Sequence, residues 1–335
     1  MKVVFFQRKP RPNKNFSIEI FFEQIRHHLP KDVQSTVFLA KYFSNGFFKR
    51  LYISLEAIFQ QGDINHITGD INFQAIFLQK KKTILTILDI GILEQTNKIQ
   101  SRIIKYFWLK LPVKRAAYIT TISEASKNEI IKCVNIDEKK IRVLYIPVAN
   151  VIEYSPKAFN KECVTILQIG TKKNKNLLRL IEAIKDIKCK LEIVGVLDGE
   201  QLELLNRYKI NYVNSVNISN DELNKKYVDA DLLAFVSTYE GFGMPIVEAQ
   251  LVGRPVITSN LLSMPEVAGD GASIVDPYNV EEIKNGILKI INDDSYRESI
   301  IKNGLENAKR FDVKKIAYQY AELYREIYAK QNRKI

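Results

Sequence analysis

The sequence predicts an α/β protein made of two doubly wound, Rossmann-like domains that face a cleft. Short apolar runs alternate with amphipathic stretches along the chain, as in parallel sheets covered by helices. The alternation stops near residues 148–162, where "IPVANVIEYSPKAFNKE" carries two prolines and little periodicity, and then starts again. The 335 residues are enough for two domains of ordinary size. We therefore expect domains at 1–150 and 160–312.

The individual elements follow from the periodicity of the apolar residues. In the first half, strands are predicted at "KVVFF", "TILTILD", "AAYITTIS" and "IRVLYIP", with a helix at "NFSIEIFFEQIRHHL". In the second half, strands are predicted at "VTILQIG", "KLEIVG", "DLLAFVS" and "RPVITS", with helices at "NLLRLIEAIKDI", "DELNKKYVDA" and "NVEEIKNGILKII". A last helix is predicted over 313–332, because Ile316, Tyr320, Leu323 and Ile327 fall on one helical face.

Composition indicates a globular protein, with 46% hydrophobic and 26% charged residues. "MKVVFF" is cut off by Gln7 and Arg8, so it predicts a buried strand and not a signal peptide. No apolar run is long enough to cross a bilayer. The cysteines at 133, 163 and 189 are expected to pack as small apolar residues in a reducing compartment. We expect a cytoplasmic protein, with peripheral attachment to the inner face of the cell membrane as a further option.

The positive charge of the chain lies entirely in its first half. Residues 1–150 carry 24 Lys and Arg against 12 Asp and Glu, whereas residues 151–335 carry 26 of each. This asymmetry indicates an anionic partner for the first half, which leaves nucleic acid, a membrane surface and a phosphate-bearing acceptor open. A solvated basic surface explains the same charge equally well.

The stretch "STYEGFGMPIVEAQ" combines features of a ligand site between a strand and a helix. Gly241 and Gly243 allow a sharp turn, and Pro245 suits the first position of a helix. A helix N-terminus attracts phosphate, and carboxylates at Glu240 and Glu248 accept hydrogen bonds from sugar hydroxyls. Taken alone, the two glutamates are also consistent with a solvated pair.

This stretch resembles the signature of the retaining family-4 (group 1) glycosyltransferases of the GT-B fold. The following "GRPVIT" and the later "NLLSMPEVAGDGASIVDPYNVEEI" are similar to the family as well. The resemblance implies a nucleotide-sugar-dependent hexosyltransferase that acts with retention of anomeric configuration. It also implies that Glu240 contacts the donor sugar as a catalytic residue and that Glu248 contacts the ribose. The main chain at Gly241, Phe242, Gly243 and Met244 would lie against the sugar and diphosphate.

A second stretch, "ILQIGTKKNKNLLRLIEAI", resembles the loop with which the family binds the donor diphosphate. The resemblance places Lys175 and Asn176 on the diphosphate, with Gly170 and Thr171 at the start of the loop. Lys175 supplies the positive charge that a leaving diphosphate needs, so it is a second catalytic candidate. "YVNSVNISNDEL" resembles the base-binding segment of the family, which implies contacts of Ser215 and Val216 with the nucleotide base.

The first domain resembles the family through "AAYITTISEASKNEI" and departs from it in "TILD". Leu88 stands where the family usually has a histidine, and leucine cannot donate a hydrogen bond. His66, Asp70 and Asp89 are the polar candidates here. We expect His66 and Asp89 to be catalytic, with a structural role as the alternative for His66. Leu88 favours an alternative function, a catalytically impaired relative that serves as a sugar-nucleotide-binding or assembly subunit.

The remaining expectations follow from the resemblance and the charge. The partners would be a nucleotide diphosphate-sugar donor, a saccharide or lipid-linked saccharide acceptor in cell-surface polysaccharide or lipopolysaccharide assembly, and an anionic membrane surface. Nucleic acid, metal and other cofactors are not expected; "DAD" at 229–231 only imitates a metal-binding pattern. The C-terminal helix would pack back onto the first domain. "KYFWLKLPVKR" suits a membrane interface or a core with solvated charges.

Overall fold

The computed structural model describes residues 1–10, 17–88, 90, 105–148 and 153–332. The chain divides into two units: Met1–Pro147 together with the C-terminal helix, and Val148–Asp312. Each unit contains one six-stranded sheet, and all of the recorded strand pairs are parallel. The predicted α/β class with two Rossmann-like units is confirmed.

The sheet of the first unit has the strand order β2-β1-β3-β4-β5-β6. The order changes direction between β1 and β3, which makes this pair the topological switch point. The strands are β1 Lys2–Gln7, β2 Gln34–Leu39, β3 Ile64–Thr68, β4 Thr83–Thr86, β5 Tyr118–Thr121 and β6 Ile141–Val143. The α-helices are α1 Ser17–His27, α2 Phe47–Ile58, α3 Leu111–Arg115 and α4 Glu124–Val134, and a π-helical turn Lys105–Lys110 precedes α3.

The sheet of the second unit has the strand order β12-β11-β10-β7-β8-β9, with its switch point between β7 and β10. The strands are β7 Val164–Ile169, β8 Cys189–Val194, β9 Tyr212–Ser215, β10 Leu232–Phe235, β11 Val256–Ser259 and β12 Ser273–Val275. The helices are α5 Leu177–Ile184, α6 Gly199–Arg207, α7 Asn220–Asp229, α8 Met244–Val252, α9 Met264–Ala268, α10 Val280–Asn292 and α11 Asp294–Ala308. Ligands of such folds bind outside the carboxyl ends of the strands at the switch point.

The helix ends follow ordinary capping chemistry. Capping boxes start α6 at Asp198 with Gln201 and α7 at Ser219 with Glu222, so the first amides of each helix have side-chain acceptors. Helix α8 ends at Gly253, whose φ of +81° lies in the left-handed region that favours glycine.

The C-terminal helix α12, Val313–Asn332, packs on the sheet of the first unit. Ile316, Tyr320, Leu323 and Ile327 are all buried there, so the face predicted from the sequence is the packed face. Together with Phe5 and other residues of β1 and α1 they form one of the two apolar layers on this sheet. The second layer lies on the opposite face and includes Val4 and Phe6 as well as Ile67 and Leu85.

The described cysteines are all free: Cys189 is buried, and Cys133 and Cys163 are half-buried. Within the described part of the chain, no helix combines the length and apolarity needed to cross a membrane.

Candidate active site

The loops that follow β7 and β10 meet at the switch point of the second unit. Lys175 Nζ lies 2.6 Å from Glu240 Oε1, with 19% and 15% of the two side chains exposed. Asn174 joins the same loops, since its Nδ2 donates to the Tyr239 carbonyl at 2.9 Å and to Glu240 Oε1 at 3.3 Å. The Thr238 N–H donates in turn to the Asn174 carbonyl at 2.8 Å. The structure therefore brings the two quoted sequence motifs together around one cation and one carboxylate.

Lys175 is held in place by its stem and by its charged end. The stem lies against Gly170, whose φ is +86° and whose added Cβ would come within 3.0 Å of Lys175 Cγ and Cε. The ammonium lies 4.6 Å from the centroid of the Phe235 ring, a cation–π contact. Gln168 Nε2 donates to the main-chain carbonyls of Gly170 and Lys175. Glycine at 170 therefore lets the lysine fold back toward Glu240.

Asn176 lies in the same loop but is directed into the protein. It has a left-handed φ of +59° and is buried. Its Nδ2 donates to the Val236 carbonyl at 3.0 Å and to the Pro277 carbonyl at 2.7 Å, while its Oδ1 accepts from Arg179. These bonds tie together the segments after β7, β10 and β12. We therefore correct the expected role of the Asn176 side chain from diphosphate binding to loop positioning.

The turn between β10 and α8 buries its aromatic side chain. Phe242 is buried, with its ring centroid 5.6 Å from that of Phe311. Gly243 has a φ of +105°, and the Ile246 N–H donates to its carbonyl at 3.0 Å to start helix α8. The amide of Met244 therefore precedes the hydrogen-bonded turns of the helix, which is where phosphate binding is expected.

Ser263 fixes this turn from the neighbouring helix α9. Its hydroxyl oxygen lies 2.9 Å from the main-chain carbonyl oxygens of both Glu240 and Phe242. Ser263 is fully buried, so these bonds are shielded from water. The sequence analysis did not single it out, although it lies within the quoted "NLLSMPEV".

Glu248 lies on α8 and is paired with a second residue that the sequence analysis missed. The hydroxyl of Tyr227, which is buried on α7, donates to Glu248 Oε2. Burial raises the pKa of Glu248, and the bond from Tyr227 opposes that rise. Burial also raises the pKa of Tyr227, with the nearby Glu248 charge adding to the effect. A carboxylate has room for further donors beyond one phenol, so this pair leaves Glu248 able to accept from ribose hydroxyls.

The remaining predicted donor residues lie toward the β9 side of the sheet. Thr171 Oγ1 donates to the Val196 carbonyl at 2.5 Å, which joins the loops after β7 and β8. The Gly195 N–H donates to the Ser215 carbonyl at 2.9 Å, which joins the loops after β8 and β9. Val216 follows Ser215 and is 42% exposed. The predicted base-binding residues are therefore at one end of a continuous row of loops.

The polar candidates of the first unit do not form a comparable site. His66 lies in the middle of β3 with no exposed surface, its Nδ1 2.8 Å from Tyr324 Oη and its Nε2 2.7 Å from Thr86 Oγ1. Burial lowers the pKa of His66 to about 3, so the ring is neutral. A buried ring cannot touch a substrate, so this position corrects the catalytic prediction for His66 in favour of packing. Asp89 lies outside the described residues.

Asp70 is paired with a residue not predicted from the sequence. Arg8, which follows β1, donates through Nη1 to Asp70 and lies 2.8 Å through Nε from Glu19 Oε1. Leu88, at the family's histidine position, is half-buried against the apolar layer that contains α12.

The acidic pair at 229–231 has structural partners. Asp231 is buried and accepts from the Thr165 N–H at 2.8 Å and from Lys157 Nζ at 2.8 Å. Among the described residues, no cluster of three or more His, Cys, Asp or Glu is arranged to hold a metal.

The comparisons with known proteins concern the family of the second unit and the fold of the chain. Residues 154–307 match the family model for glycosyl transferases group 1. The second unit therefore carries the domain that this family model describes. It is 30% identical over 236 residues to the O-antigen chain mannosyltransferase B of Escherichia coli, an alignment that covers 63% of this chain and 61% of that relative.

Two solved structures share the fold over nearly the whole chain. The sucrose-phosphate synthase of Thermosynechococcus elongatus matches with a TM-score of 0.77 at 16% identity, covering 98% of this chain and 99% of the other. Anabaena HepE in complex with UDP-glucose matches with a TM-score of 0.75 at 18% identity, covering 97% and 100%. At these identities the likeness concerns the fold.

Proposed function

We propose that this glycosyltransferase moves a hexose from a nucleotide diphosphate-sugar to an acceptor hydroxyl, with retention of anomeric configuration. The observation that carries the proposal is the Lys175–Glu240 pair at the switch point, 2.6 Å apart and beside the N-terminus of α8. A diphosphate needs a cation and main-chain donors, and a sugar needs a carboxylate for its hydroxyls. These three groups converge here.

The chemical step breaks the bond between the anomeric carbon and the diphosphate oxygen. Lys175 stabilises the negative charge that develops on the leaving diphosphate, because its ammonium is already oriented by Gly170 and Phe235. The acceptor hydroxyl forms the new bond on the same face of the sugar, and its proton passes to an oxygen of the leaving phosphate. Glu240 holds the sugar hydroxyls, and Glu248 holds the ribose.

The donors to test first follow from the relatives. One relative is named as a mannosyltransferase, and one solved neighbour was obtained with UDP-glucose. GDP-mannose and UDP-glucose are therefore the first two candidates for this chain. The O-antigen relative also supports a role in cell-surface polysaccharide or lipopolysaccharide assembly, with a saccharide or lipid-linked saccharide as acceptor. The excess of Lys and Arg over residues 1–150 supports peripheral attachment to an anionic membrane.

The test is donor turnover in variants that remove one charge from the site. Lys175→Met and Glu240→Gln should each lower kcat by about 100-fold or more, the range for loss of one electrostatic stabiliser. Lys173→Met is the matched control, since Lys173 lies in the same loop with its side chain exposed. Equal activity of Lys175→Met and Lys173→Met would contradict the proposed role of the pair.

A catalytically impaired relative remains the second candidate, because Leu88 places a side chain without a hydrogen-bond donor at the family's histidine position. This candidate predicts nucleotide-sugar binding in calorimetry without release of nucleotide diphosphate. Turnover that is present in the wild type and lost in Glu240→Gln would exclude it.

A further inference from the structure

An apolar cavity of about 450 Å³ lies in the first unit, beside helix α2. Its size falls in the range of small-molecule sites, and its walls are mostly aromatic and aliphatic. Helix α2 supplies Phe47, Arg50, Leu51 and Ser54, and the other walls come from the segments 73–77 and 107–111. None of these residues belongs to the donor site described above.

Helix α2 carries apolar residues toward the core, toward the cavity and toward solvent, with Arg50 and Ser54 on the cavity side. Ile53 and Ala57 are buried in the core. The cavity-facing residues recur at positions 47, 50, 51 and 54, which is the spacing of one helical face. A third stripe is exposed to solvent: Phe48 (82% exposed), Tyr52, Leu55 and Phe59 (84% exposed). Such an exposed apolar stripe indicates a partner that is itself apolar.

The opposite wall repeats this combination of aromatic and basic residues. Tyr106 and Phe107 are exposed. Trp108 packs against Phe73 with ring centroids 5.1 Å apart, and the Arg50 guanidinium lies 4.5 Å from the centroid of its indole ring. The cavity therefore has an apolar floor and a cation at its edge.

The surroundings of the cavity are strongly basic. Residues 41–62 and 105–115 contain one carboxylate, Glu56, against seven Lys and Arg: Lys41, Lys49, Arg50, Lys105, Lys110, Lys114 and Arg115. An apolar cavity within a basic rim matches a ligand with a hydrocarbon chain and an anionic head group. A second copy of this chain would bring the same positive rim against itself, which opposes self-association at this face.

We propose that the cavity binds the hydrocarbon chain of a phosphate-bearing lipid while the exposed stripe of α2 rests on the bilayer. Phospholipids and lipid-linked saccharides share this chemistry. The walls come from segments that follow β2, β3 and β4, and so from the sheet edge at which ligands of this fold bind. The inference rests on the membrane part of the proposed function and is independent of its donor chemistry.

The chain itself supplies the reporter, because Trp108 is its single tryptophan and lines the cavity. Phosphatidylglycerol vesicles with dibrominated chains should quench Trp108 fluorescence by more than about half relative to vesicles with unbrominated chains. Ser54→Phe should lower the quenching below that of the wild type, because Ser54 lines the cavity and a ring there fills it. Ser54→Ala is the matched control: it loses the same bond, from Oγ to the Arg50 carbonyl at 2.7 Å, and leaves the cavity open.

Quenching of Ser54→Phe equal to that of the wild type would place the chain outside the cavity and overturn the proposal. Concentration-dependent dimers that dissociate on Phe48→Ser would also overturn it, since the partner would then be a second copy. If Ser54→Phe does not fold, a terminally brominated undecanoate without vesicles tests the wild type directly, and absence of quenching refutes the site.

Farnesyl phosphate distinguishes the two sources of the ligand. If farnesyl phosphate relieves the vesicle quenching, the cavity takes the chain of a lipid-linked saccharide. If the quenching persists, the cavity takes the chain of a phospholipid. Donor turnover measured in the same wild-type sample separates the two proposals. If the wild type shows donor turnover but no quenching, the lipid site alone is refuted. If it shows quenching but no donor turnover, the donor chemistry alone is refuted.

Discussion

The buried His66 predicts a specific loss of stability of the first unit in acid. The ring is enclosed by Phe5, Phe22, Tyr320 and Tyr324 and has no exposed surface. Its pKa falls from 6.5 to about 3 because burial disfavours the charged form. The unfolded chain therefore binds a proton below pH 6.5 that the folded unit does not bind. The contribution of His66 to stability is complete above pH 6.5 and is lost progressively as the pH falls toward 3.

The size of this effect follows from the shift. Each pH unit between the two pKa values costs about 1.4 kcal/mol, so at pH 5 the first unit should lose roughly 2 kcal/mol relative to pH 7.5. His66→Gln removes the titration and keeps a polar side chain. It should be less stable than the wild type at pH 7.5, but its stability should fall by about 2 kcal/mol less between pH 7.5 and 5.

Urea unfolding followed by Trp108 fluorescence measures this difference, because the single tryptophan lies in the first unit. The other two histidines are present in both proteins, so their titration cancels in the comparison. Parallel pH dependence of wild type and His66→Gln would refute the assignment of a buried neutral imidazole.

Three further predictions concern the second unit. Tyr227→Phe removes the hydrogen-bond donor that lowers the pKa of Glu248. Nucleotide binding measured by calorimetry should therefore weaken about 10-fold, and more at pH 6 than at pH 8. Gly170→Ala forces a Cβ against Lys175 at a φ of +86°, so both melting temperature and donor affinity should fall, whereas Gly199→Ala, with open space around it, should change neither. Turnover should survive dialysis against EDTA within about twofold, since Lys175 takes the role of the cation; loss restored by Mg²⁺ would contradict this.

The helices and strands in which apolar residues recur with a clear period were predictable from the sequence. Strands β7, β8, β10 and β11 are short, largely buried apolar runs, and α12 has one buried face, so the pattern and the packing agree. Strand β2 and helix α2 were not predicted. Strand β2 lies at the edge of its sheet and is largely exposed, and α2 carries apolar residues toward the core, toward the cavity and toward solvent. Neither element therefore shows the regular pattern of apolar and polar residues on which the prediction depends.

The residues of the site that lie within short sequence motifs were predictable. Lys175 and Glu240 come together because both follow strands at the switch point, which the strand–loop–helix pattern implies. The partners Tyr227 and Ser263 come from helices outside those loops, so they depend on tertiary packing. Asn176 was misassigned because an asparagine in a phosphate-binding loop and one that ties three loops together have the same local sequence.

The two switch points differ in charge, and this difference bears on where the diphosphate binds. Arg8 follows β1 and contacts two carboxylates, Glu19 and Asp70, and the exposed Lys9 beside it brings these four groups to a net charge of zero. Lys175 follows β7 and contacts one carboxylate, so that pair is neutral.

Lys172 and Lys173 precede Lys175 in an exposed loop and add positive charge at the switch point of the second unit. An incoming diphosphate is therefore attracted more strongly to the switch point of the second unit than to that of the first. The excess positive charge of the first unit lies partly around α2 and the segment 105–115 instead. This part of the charge is suited to a phosphate head group at the α2 cavity, whereas Lys172, Lys173 and Lys175 supply the positive charge at the switch point of the second unit.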